Sequence, residues 1–600
     1  MNSIGNYLKK INYILDRRQK RNLIILTVCI AVGSLFETLS VSAVLPVVNV
    51  ITDPEIIRTN KWFIILGRLL HIGEVRQFIF ALSLILACLY IIKNIFLIFL
   101  YKLQFRYINN NQKRISYRLM QCYLSQDYLF HVSHSVSELQ RNCGMDVANF
   151  FQVLLNVIQL TTELMTALFL VLFLLMQDAA TTMFIICLMM VFMFFVLFFF
   201  KKQLIVIGMR QREISSEMNK WFLQSFQGIK EIKVANREQY FLDHYDENFS
   251  KSVVLSEKSM LISIIPRPVM EMLVICGLLT YVAIRVIMGV DLSKFVPTLA
   301  VFVVAAYRLL PSFNRISGCF SIITGLKASV ENVYKDLHDI EGLRQKVVRD
   351  NVDNIEFSLE TGIRLENIVF YYPSRPEAII LDGINLFIPH NRSVALIGPS
   401  GAGKTTLADV ILGVLKPETG HVIVDGKDIY EHLHSWHKYV GYIPQNIYLM
   451  DDSIRANVAF GYSKEDTDDE KVWKALEEAQ LAEYFRSKKI GLDDNIGAMG
   501  TKLSGGQRQR IGIARALYHE PEILILDEAT SALDTDTETA VMESIDRLSG
   551  TKTMIIIAHR LTTIRNCDII YEIKDGLVSE RNKDEVLDQY LRDTKKNSAE

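Results

Sequence analysis

The stretch that decides the fold of the second half of the chain reads Gly-Pro-Ser-Gly-Ala-Gly-Lys-Thr, from Gly398 to Thr405. An apolar run, Val394–Ile397, precedes it and a helix-like run, Thr406–Leu415, follows it, which is the order of a phosphate-binding loop. Its glycines are Gly398, Gly401 and Gly403. Because glycine has no Cβ, the backbone N–H groups can close on phosphate oxygens at a helix N-terminus. Lys404 adds a cation for the β and γ phosphates, and Thr405 adds a hydroxyl for Mg²⁺.

Motifs on either side of this loop occur in the order that nucleotide chemistry requires. Tyr372, in Phe-Tyr-Tyr-Pro, offers a ring on which adenine can stack. Gln445 follows a strand-like run and can reach Mg²⁺ or an attacking water. The stretch Leu503–Gln507, Leu-Ser-Gly-Gly-Gln, opens a helix whose N-terminus suits a γ-phosphate. Each motif alone could be a packing feature, so the prediction depends on their order and spacing.

Two acids and a histidine complete the predicted site. The apolar run Ile523–Leu526 predicts a buried strand that ends in Asp527 and Glu528. The first acid can help to hold Mg²⁺ and the second can polarise water. Ser531–Asp534 follows, and His559 comes after another strand-like run. These residues predict hydrolysis of a nucleoside triphosphate.

The first half of the chain predicts a membrane domain. The 600 residues are 50% hydrophobic, and about 20 apolar residues in a row are enough to cross a bilayer. Six spans are predicted: Leu23–Val50, Gln77–Tyr101, Val153–Met176, Met183–Phe200, Ile262–Met288 and Phe295–Phe313. The net charge of −1 gives no indication of a nucleic acid partner. The eight cysteines stand singly, which favours ordinary packing over a metal site or disulfides.

Charge patterns predict how this domain is organised. Residues 1–22 have apolar side chains at helical spacing among basic ones, which predicts a helix lying on the membrane surface. Basic residues follow spans two and four, so both termini are expected in the cytoplasm. The long polar stretches after these spans predict helical extensions. Turns at Ser135–Arg141 and Phe226–Glu231 are predicted to contact a cytoplasmic domain, although solvated helical stalks explain the same charges.

The predicted fold class is an α-helical six-span transmembrane domain, residues 23–340, fused to an α/β P-loop nucleotide-binding domain, residues 341–600. The phosphate loop, the Leu-Ser-Gly-Gly-Gln motif, the run Leu526–Asp534 and His559 resemble those of the ATP-binding cassette (ABC) transporter family. Six spans ahead of the cassette resemble its exporter branch. In that family each ATP is held between the phosphate loop of one cassette and the signature of another. The resemblance therefore implies a dimer, here of identical chains.

The resemblance also implies roles for matching positions. Thr405, Gln445 and Asp527 would surround Mg²⁺. Glu528 would be the catalytic base, Gln445 would assist and His559 would sense the γ-phosphate. The residues expected to contact ATP are Tyr372, Gly398, Ser400, Gly401, Gly403, Lys404, Thr405, Thr406, Ser504, Gly505, Gly506 and Gln507. One departure concerns the Glu-Arg pair that many exporters carry before the signature, because Ala498 and Met499 stand in its place.

Charges inside the predicted spans bear on the substrate, since each is costly in a bilayer. They are Glu37, Lys93, Glu163, Arg267, Glu271 and Arg308. Glu37 and Lys93 either pair with each other or line a path for an anionic or glycan headgroup. Arg267 and Glu271 are four residues apart and can satisfy each other on one helix face. Arg308 is the candidate for binding a phosphate.

A narrower resemblance suggests the cargo. Phe36–Thr38 with Pro46, Lys93-Asn94, Pro266-Arg267 with Glu271, and Arg308–Arg315 are similar to the PglK-like branch, which flips lipid-linked oligosaccharides. That resemblance implies a lipid-linked glycan or another amphiphilic substrate, membrane lipids around the chain, and the bacterial cytoplasmic (inner) membrane as location. Two alternatives are an exporter of peptides or amphiphilic drugs, and a sensor in which nucleotide only shifts conformation.

Overall fold

A computed structural model describes residues 10–52, 55, 57, 60, 63–65, 68, 75–177, 179–287, 311–347, 355–527, 542–543, 545–558 and 561–588. The chain divides into two compact units. The first comprises Met1–Leu124 with His134–Gly342, and the second comprises Ser125–Ser133 with Leu343–Glu600.

The first unit is helical throughout its described residues. Its helices are α1 (Arg17–Ser42), α2 (Val44–Thr52), α3 (Val75–Leu124), α5 (Val136–Arg141), α6 (Val147–Gln177), α7 (Ala179–Gln227), α8 (Ile229–Ala235), α9 (Glu238–Ile264), α10 (Pro266–Ile287), α11 (residues 311–325) and α12 (Lys327–Val347). Helices suit a bilayer because every backbone hydrogen bond is made within the segment. At 1.5 Å per residue, the 50 residues of α3 extend about 75 Å, more than twice the hydrocarbon thickness.

Four stretches of the described residues are long and apolar enough to cross a membrane: Arg17–Val48, Val75–Leu124, Val136–Met176 and Glu238–Ile284. The predicted fourth span, Met183–Phe200, lies within α7. Most of the predicted sixth span, Phe295–Phe313, lies outside the described residues, as does much of the first predicted outward loop.

Polar contacts join the membrane helices beyond the predicted spans. A π-helical turn, Asn142–Asp146, connects α5 to α6 and directs polar side chains towards α12. Ser329 Oγ donates to Asp146 Oδ1 at 2.7 Å, and Asn332 Nδ2 donates to Asp146 Oδ2 at 3.0 Å. Asn142 Nδ2 donates to the carboxylate of Asp336 at 2.9 Å. Burial raises the pKa of Asp336, because the charged carboxylate is poorly solvated there. Hydrogen bonds to the carboxylate offset part of that cost.

The second unit is an α/β domain with two sheets. Its strands are β1 (Gly362–Tyr371), β2 (Ile379–Pro389), β3 (Ser393–Ile397), β4 (Thr419–Val424), β5 (Lys427–Asp428), β6 (Val440–Ile443), β7 (Ile523–Asp527), β8 (Thr553–Ile557), β9 (Ile569–Lys574) and β10 (Leu577–Arg581). The antiparallel sheet has the order β2-β1-β4-β5, and the larger sheet has the order β10-β9-β3-β8-β7-β6. All pairings in the larger sheet are parallel except that of β9 with β10.

Continuous apolar runs explain the parallel sheet. Every residue of β3, β7 and β8 is buried, as expected for strands covered on both faces. The helices described in this unit include α13 (Lys404–Ile411), α14 (Leu433–Trp436), α15 (Ile454–Val458), α16 (Asp469–Glu478), α17 (Ala482–Ser487), α18 (Gly505–Leu517) and α19 (Leu561–Arg565). Trp436 is fully buried in the core, and its indole N–H donates to the carbonyl of Ile411 at 3.0 Å.

A short segment from between two membrane helices belongs to this second unit. Helix α4 (Tyr128–Ser133) packs Leu129 against the hydrophobic core that contains β1 and β3. The sequence prediction placed such a contact at Ser135–Arg141; α5 occupies most of those residues within the first unit, and their contact with a cytoplasmic domain stays a prediction. The polar break at Ser135 is a helix cap, with Ser135 Oγ accepting from the N–H of Glu138. The predicted turn at Phe226–Glu231 occurs as a break at Gly228, and its contact with a cytoplasmic domain stays a prediction.

Close approach of two helices in the first unit gives a stability prediction. A Cβ on Gly208, in α7, would lie 2.7 Å from the carbonyl oxygen of Gly325, whereas a Cβ on Gly318, in α11, would have nothing within 4 Å. We expect Gly208→Ala to destabilise the full-length chain by about 1–3 kcal/mol through overpacking. Gly318→Ala, the matched control, should leave stability unchanged or raise it, because alanine favours a helix. Thermal unfolding in detergent measures both, and equal midpoints would contradict this account of the crossing.

Candidate nucleotide site

The predicted phosphate loop connects β3 to α13 and requires glycine at specific positions. Gly398 has φ = +143°, and a Cβ there would collide with the carbonyl oxygen of Ile573 in β9. Gly401 (φ = +81°) and Gly403 (φ = +97°) also occupy the left-handed region, and Gly403 is the N-cap of α13. The strain of placing any other residue here explains the glycine spacing in the sequence. The loop therefore ends at a helix N-terminus, where backbone N–H groups attract anions.

Three consecutive side chains at the start of α13 have different environments. Lys404 is buried, and its ammonium donates to the carbonyls of Gly398 and Pro399 at 3.0 Å each. Thr405 is exposed and Thr406 is buried. A buried lysine held by loop carbonyls is already directed towards the loop interior, where its charge is available to phosphate oxygens. Ser400, within the loop, is exposed.

Tyr372 follows the last residue of β1 and lies beside the same helix. Its hydroxyl is 3.5 Å from Thr406 Oγ1, at the limit of a hydrogen bond. Its ring packs edge-on against Phe370, with centroids 5.1 Å apart. The structure thus brings the predicted adenine platform next to the predicted phosphate loop.

The predicted Mg²⁺ ligands lie at the carboxyl edge of the parallel sheet. Asp527 is the buried last residue of β7, and Gln445 is exposed two residues after β6. These strands are adjacent, with Ile443 paired to Leu526. Hydroxyl, amide and carboxylate oxygens are the donors that Mg²⁺ takes together with substrate phosphates, so Thr405, Gln445 and Asp527 fit the ion. Among the described residues there is no cluster of three His, Cys, Asp or Glu side chains suited to a metal.

Two predicted catalytic residues, Glu528 and His559, lie outside the described residues. The strands that precede them are described: Glu528 follows β7, and His559 comes two residues after β8. Both strands end at the same edge of the sheet as β3. Their roles remain predictions.

The signature motif opens α18. Ser504 is the exposed N-cap; its Oγ accepts from the N–H of Gln507 at 3.3 Å, and its own N–H donates to Gln507 Oε1 at 2.9 Å. This capping box fixes the first turn, in which Gly505 is exposed and Gly506 is buried. The helix N-terminus at Ser504 therefore has both a fixed geometry and an accessible polar end.

The segment that replaces the usual Glu-Arg pair has an unusual backbone. Met499 has φ = +52° although it is not glycine, and Gly497 (φ = +79°) and Gly500 (φ = +69°) flank it. The Met499 side chain is 72% exposed. An apolar side chain on a strained backbone thus projects where a charged pair would be expected.

A carboxylate that the sequence analysis did not single out lies next to the site. Burial, with Asp527 as a further cause, raises the pKa of Asp409 on α13 to about 6. Burial is also the largest cause that raises the pKa of Tyr442 on β6, and both Asp527 and Asp409 add to it. The pKa of Tyr128 in α4 is also raised, first by burial and then by Asp409 and Tyr372. These groups connect α4 electrostatically to the predicted nucleotide site.

The predicted substrate residues of the first unit are only partly described. Glu37 is buried in α1, and the Lys93 ammonium lies 4.7 Å from the ring centre of Tyr90. Arg267 and Glu271 are both exposed on α10, and the structure describes both. They form no ion pair with each other, so the expectation that they satisfy each other on one helix face was wrong. Arg308 lies outside the described residues. Whether any of them contacts substrate stays a prediction.

Tyr372 gives a test of the adenine platform. We expect Tyr372→Ala to weaken ATP binding about tenfold, because stacking on an aromatic ring contributes about 1–3 kcal/mol. Tyr372→Phe should bind ATP within about twofold of the unaltered chain, since the hydroxyl contact at 3.5 Å is marginal. Calorimetric titration with a non-hydrolysable ATP analogue distinguishes them. Equal losses in both variants would assign the effect to the hydroxyl.

Asp409 gives a test by pH. Its ordinary pKa is 3.8 and its pKa in the folded chain is about 6, so the folded state binds the proton more tightly. Stability therefore falls as pH rises from about 4 to 6, and the cost is fully present above pH 6. We expect Asp409→Asn to stabilise the chain by about 1 kcal/mol at pH 7.5, after allowance for solvent screening, and by less at pH 4.5. Thermal midpoints at both pH values measure this, and equal gains would rule out the titration of Asp409 as the cause.

Comparisons with known proteins agree with this architecture. Residues 381–531 match the model of the ABC transporter family. The heterocyst differentiation ATP-binding protein HepA of Nostoc sp. is 32% identical over 398 residues, 64% of this chain and 63% of the relative. The ATP-dependent lipid A-core flippase of Salmonella typhimurium is 32% identical over 389 residues, 63% of this chain and 65% of the relative. ABC transporter B family member 21 of Arabidopsis thaliana is 37% identical over 283 residues, 47% of this chain and 21% of the relative.

The matched stretches thus span from about a fifth to just under two thirds of these curated relatives. Among solved structures, a bacterial Atm1-family ABC exporter with ATP bound superposes with a TM-score of 0.69 at 20% identity, covering 96% of this chain and 97% of that one. The predicted fold class, helical membrane domain plus P-loop domain, is confirmed. The chain has the fold of an ABC exporter, its described helices include stretches long and apolar enough to cross a membrane, and its residues 381–531 match the ABC transporter family model.

Proposed function

We propose that the chain is an ATP-driven exporter that moves a lipid-linked oligosaccharide or similar glycolipid from the cytoplasmic to the outer leaflet. The observation that carries the substrate class is a charged pair within the membrane helices. Arg315 Nε of α11 lies 2.6 Å from Glu163 Oε1 of α6, and the other oxygen of this buried carboxylate has no hydrogen-bond partner among the described residues. Ionisable groups within membrane segments are rare, and they mark substrate and ion pathways in many transporters.

The two partners of this ion pair differ in solvent exposure, since the carboxylate is buried and the guanidinium is partly exposed. The Glu163 side chain is 7% exposed and that of Arg315 is 46% exposed. The buried carboxylate therefore fixes the stem of a guanidinium whose remaining N–H groups are accessible. A guanidinium held in this way can bind a phosphate or pyrophosphate in a bidentate manner. This arrangement suits a polyprenyl-linked glycan, whose phosphate would follow the charged path while its lipid remains in the bilayer.

ATP hydrolysis would supply the free energy. Lys404 and the loop N–H groups would hold the phosphates, and Thr405, Gln445 and Asp527 would hold Mg²⁺. When bound, Mg²⁺ neutralises phosphate charge as the bond to the γ-phosphate breaks. Glu528 would position and polarise the attacking water, and His559 would report the state of the γ-phosphate.

A second copy of the chain would complete each site. Each chain has one phosphate loop and one signature helix, and the capped N-terminus at Ser504 is exposed. We propose that Ser504 and Gly506 contact the γ-phosphate of ATP bound to the partner subunit, in a homodimer. The basic residues after predicted spans two and four support placing both termini in the cytoplasm, and we propose the bacterial inner membrane as the location.

The name of one relative supports a lipidic cargo. The Salmonella protein is an ATP-dependent lipid A-core flippase, and this chain aligns with 65% of it. Lipid A-core and lipid-linked oligosaccharides are both amphiphiles with phosphate and sugar at the polar end. Glu37, Lys93, Arg267 and Arg308 are the further positions that we propose to line the path.

The proposed function predicts movement of a labelled lipid-linked oligosaccharide across liposomes that contain the purified chain and ATP. Glu528→Gln should abolish both hydrolysis and movement. Arg315→Ala and Arg308→Ala should reduce movement at least about tenfold while ATP hydrolysis persists, because each removes a phosphate contact. Lys251→Ala is the control: Lys251 also pairs with a carboxylate, Glu247, at 2.6 Å, but on the exposed face of α9.

The contrary outcomes separate the alternatives. Hydrolysis that requires Glu528, without movement of the glycolipid in any sample, would keep an exporter and assign its cargo to peptides or amphiphilic drugs. ATP binding without hydrolysis in the unaltered chain would favour a nucleotide-gated sensor. Equal loss in Arg315→Ala and Lys251→Ala would remove the charged pair as the basis for the substrate class.

A further inference from the structure

A cavity of about 370 Å³ lies between α1 and α3, and its lining includes none of the candidate nucleotide or substrate residues named above. It straddles the predicted boundary between membrane and water, because span one is predicted to begin at Leu23 and span two to end at Tyr101. The cavity is lined by Arg18, Asn22, Ile25, Leu26, Cys29, Leu103, Arg106, Tyr107, Asn110, Asn111 and Arg114.

The charge of this cavity is entirely positive. Three of the lining residues are arginines, namely Arg18, Arg106 and Arg114, and no lining residue is acidic. The described part of the chain gives none of the three a carboxylate partner; the neighbouring pair, Arg118 with Asp16 at 3.7 Å, lies outside the lining. Arginine matches phosphate oxygens with two parallel N–H groups and is weakly hydrated, so unpaired guanidiniums in a cleft favour a phosphate.

The lining also changes from polar to apolar along both helices. On α3, Arg106, Asn110 and Arg114 repeat every four residues and share one face, with Leu103 nearer the predicted span. On α1, Arg18 and Asn22 precede Ile25 and Cys29. The helices run antiparallel, because Gln19 contacts Asn111 whereas Phe36, further along α1, packs against Phe96, which lies earlier in α3. Both walls therefore place guanidiniums towards the water and apolar side chains towards the bilayer.

Hydrogen bonds fix the two walls against each other. Gln19 Nε2 donates to Asn111 Oδ1 at 2.9 Å, and Tyr107 Oη donates to the carbonyl of Gln19 at 3.1 Å. Gln19 is 2% exposed and Asn111 is 5% exposed, so water does not compete for either hydrogen bond. The cavity is thus preformed and loses little conformational entropy when a ligand binds.

We propose that this cavity binds the phosphate headgroup of an anionic glycerolipid from the leaflet at the N-terminal end of α1. The phosphate contacts Arg18, Arg106 and Arg114, and the asparagines bind the polar headgroup oxygens. The first methylenes of an acyl chain lie along Ile25, Cys29 and Leu103. Basic clefts between membrane helices at the bilayer surface are suited to such headgroups. This site does not depend on the identity of the transported cargo.

The test uses the full-length chain, purified in detergent, stripped of lipid and titrated with phosphatidylglycerol, with bound lipid counted by native mass spectrometry. The variant Arg106→Gln/Arg114→Gln removes two cations from the cavity. The control Lys102→Gln/Lys113→Gln removes the same charge from exposed positions of the same helix outside the lining. We expect one phosphatidylglycerol to bind per chain. Its affinity should be unchanged in the lysine control and at least about tenfold weaker in the arginine variant.

A third variant separates the cavity from its charge. Asn110→Trp fills the space at an exposed helical position without changing the net charge, and it should weaken lipid binding as the arginine variant does. Equal weakening in the arginine and lysine variants, or undiminished binding in Asn110→Trp, would attribute binding to general surface charge and overturn the site. Phosphatidylcholine binding as tightly as phosphatidylglycerol would overturn the anionic specificity. Displacement of the lipid by millimolar inorganic phosphate would assign the arginines to a free anion instead.

Discussion

The predicted nucleotide site depends on one geometric constraint, the common direction of the parallel strands in the larger sheet. Because β3, β6, β7 and β8 run the same way, their carboxyl ends meet at a single edge. The phosphate loop follows β3, Gln445 follows β6 and Asp527 ends β7. No two of these groups come from the same strand, so the site exists only once the whole sheet has formed. The collision that any side chain at Gly398 would make with β9 shows how closely the loop depends on that sheet.

In the first unit, charged side chains inside the predicted spans have a different environment from those near the membrane surface. Glu163, inside the third predicted span, is paired with Arg315, since a charge at membrane depth needs a partner. Arg18, Arg106 and Arg114 lie where water can reach them, and there three cations can share a cleft without an acid. Short polar contacts, such as that of Thr166 with Ser34 at 3.1 Å, hold α6 to α1 without any charge.

Local chemistry in the sequence was enough to predict the fold class and the position of the phosphate loop. Glycine spacing and capping residues act within a few positions of the chain, so Gly398–Thr405 and the cap at Ser504 could be predicted. The ion pair of Glu163 with Arg315 could not, because it joins residues 152 positions apart through tertiary packing.

Other features could not be predicted because the same sequence pattern is compatible with two different roles. The arginines after the second span were interpreted only as a signal of orientation, since their convergence with Arg18 depends on helix packing. Asp409 was part of an ordinary helix-like run, and its raised pKa arises from burial beside Asp527. The assignment of Tyr128–Ser133 to the second unit was missed for a similar reason: a polar break predicts a helix start equally well in either unit.

Helix α4 has a consequence for how the chain is made. Its residues precede the rest of the second unit by more than 200 positions, yet Leu129 covers part of that unit's core. During synthesis this segment emerges long before β1, so its binding surface appears only after the intervening helices have been made. Closing so long a separation is entropically costly, although the cost grows only slowly with length. The core of the second unit is therefore completed by a piece of chain that is synthesised between two helices of the first unit.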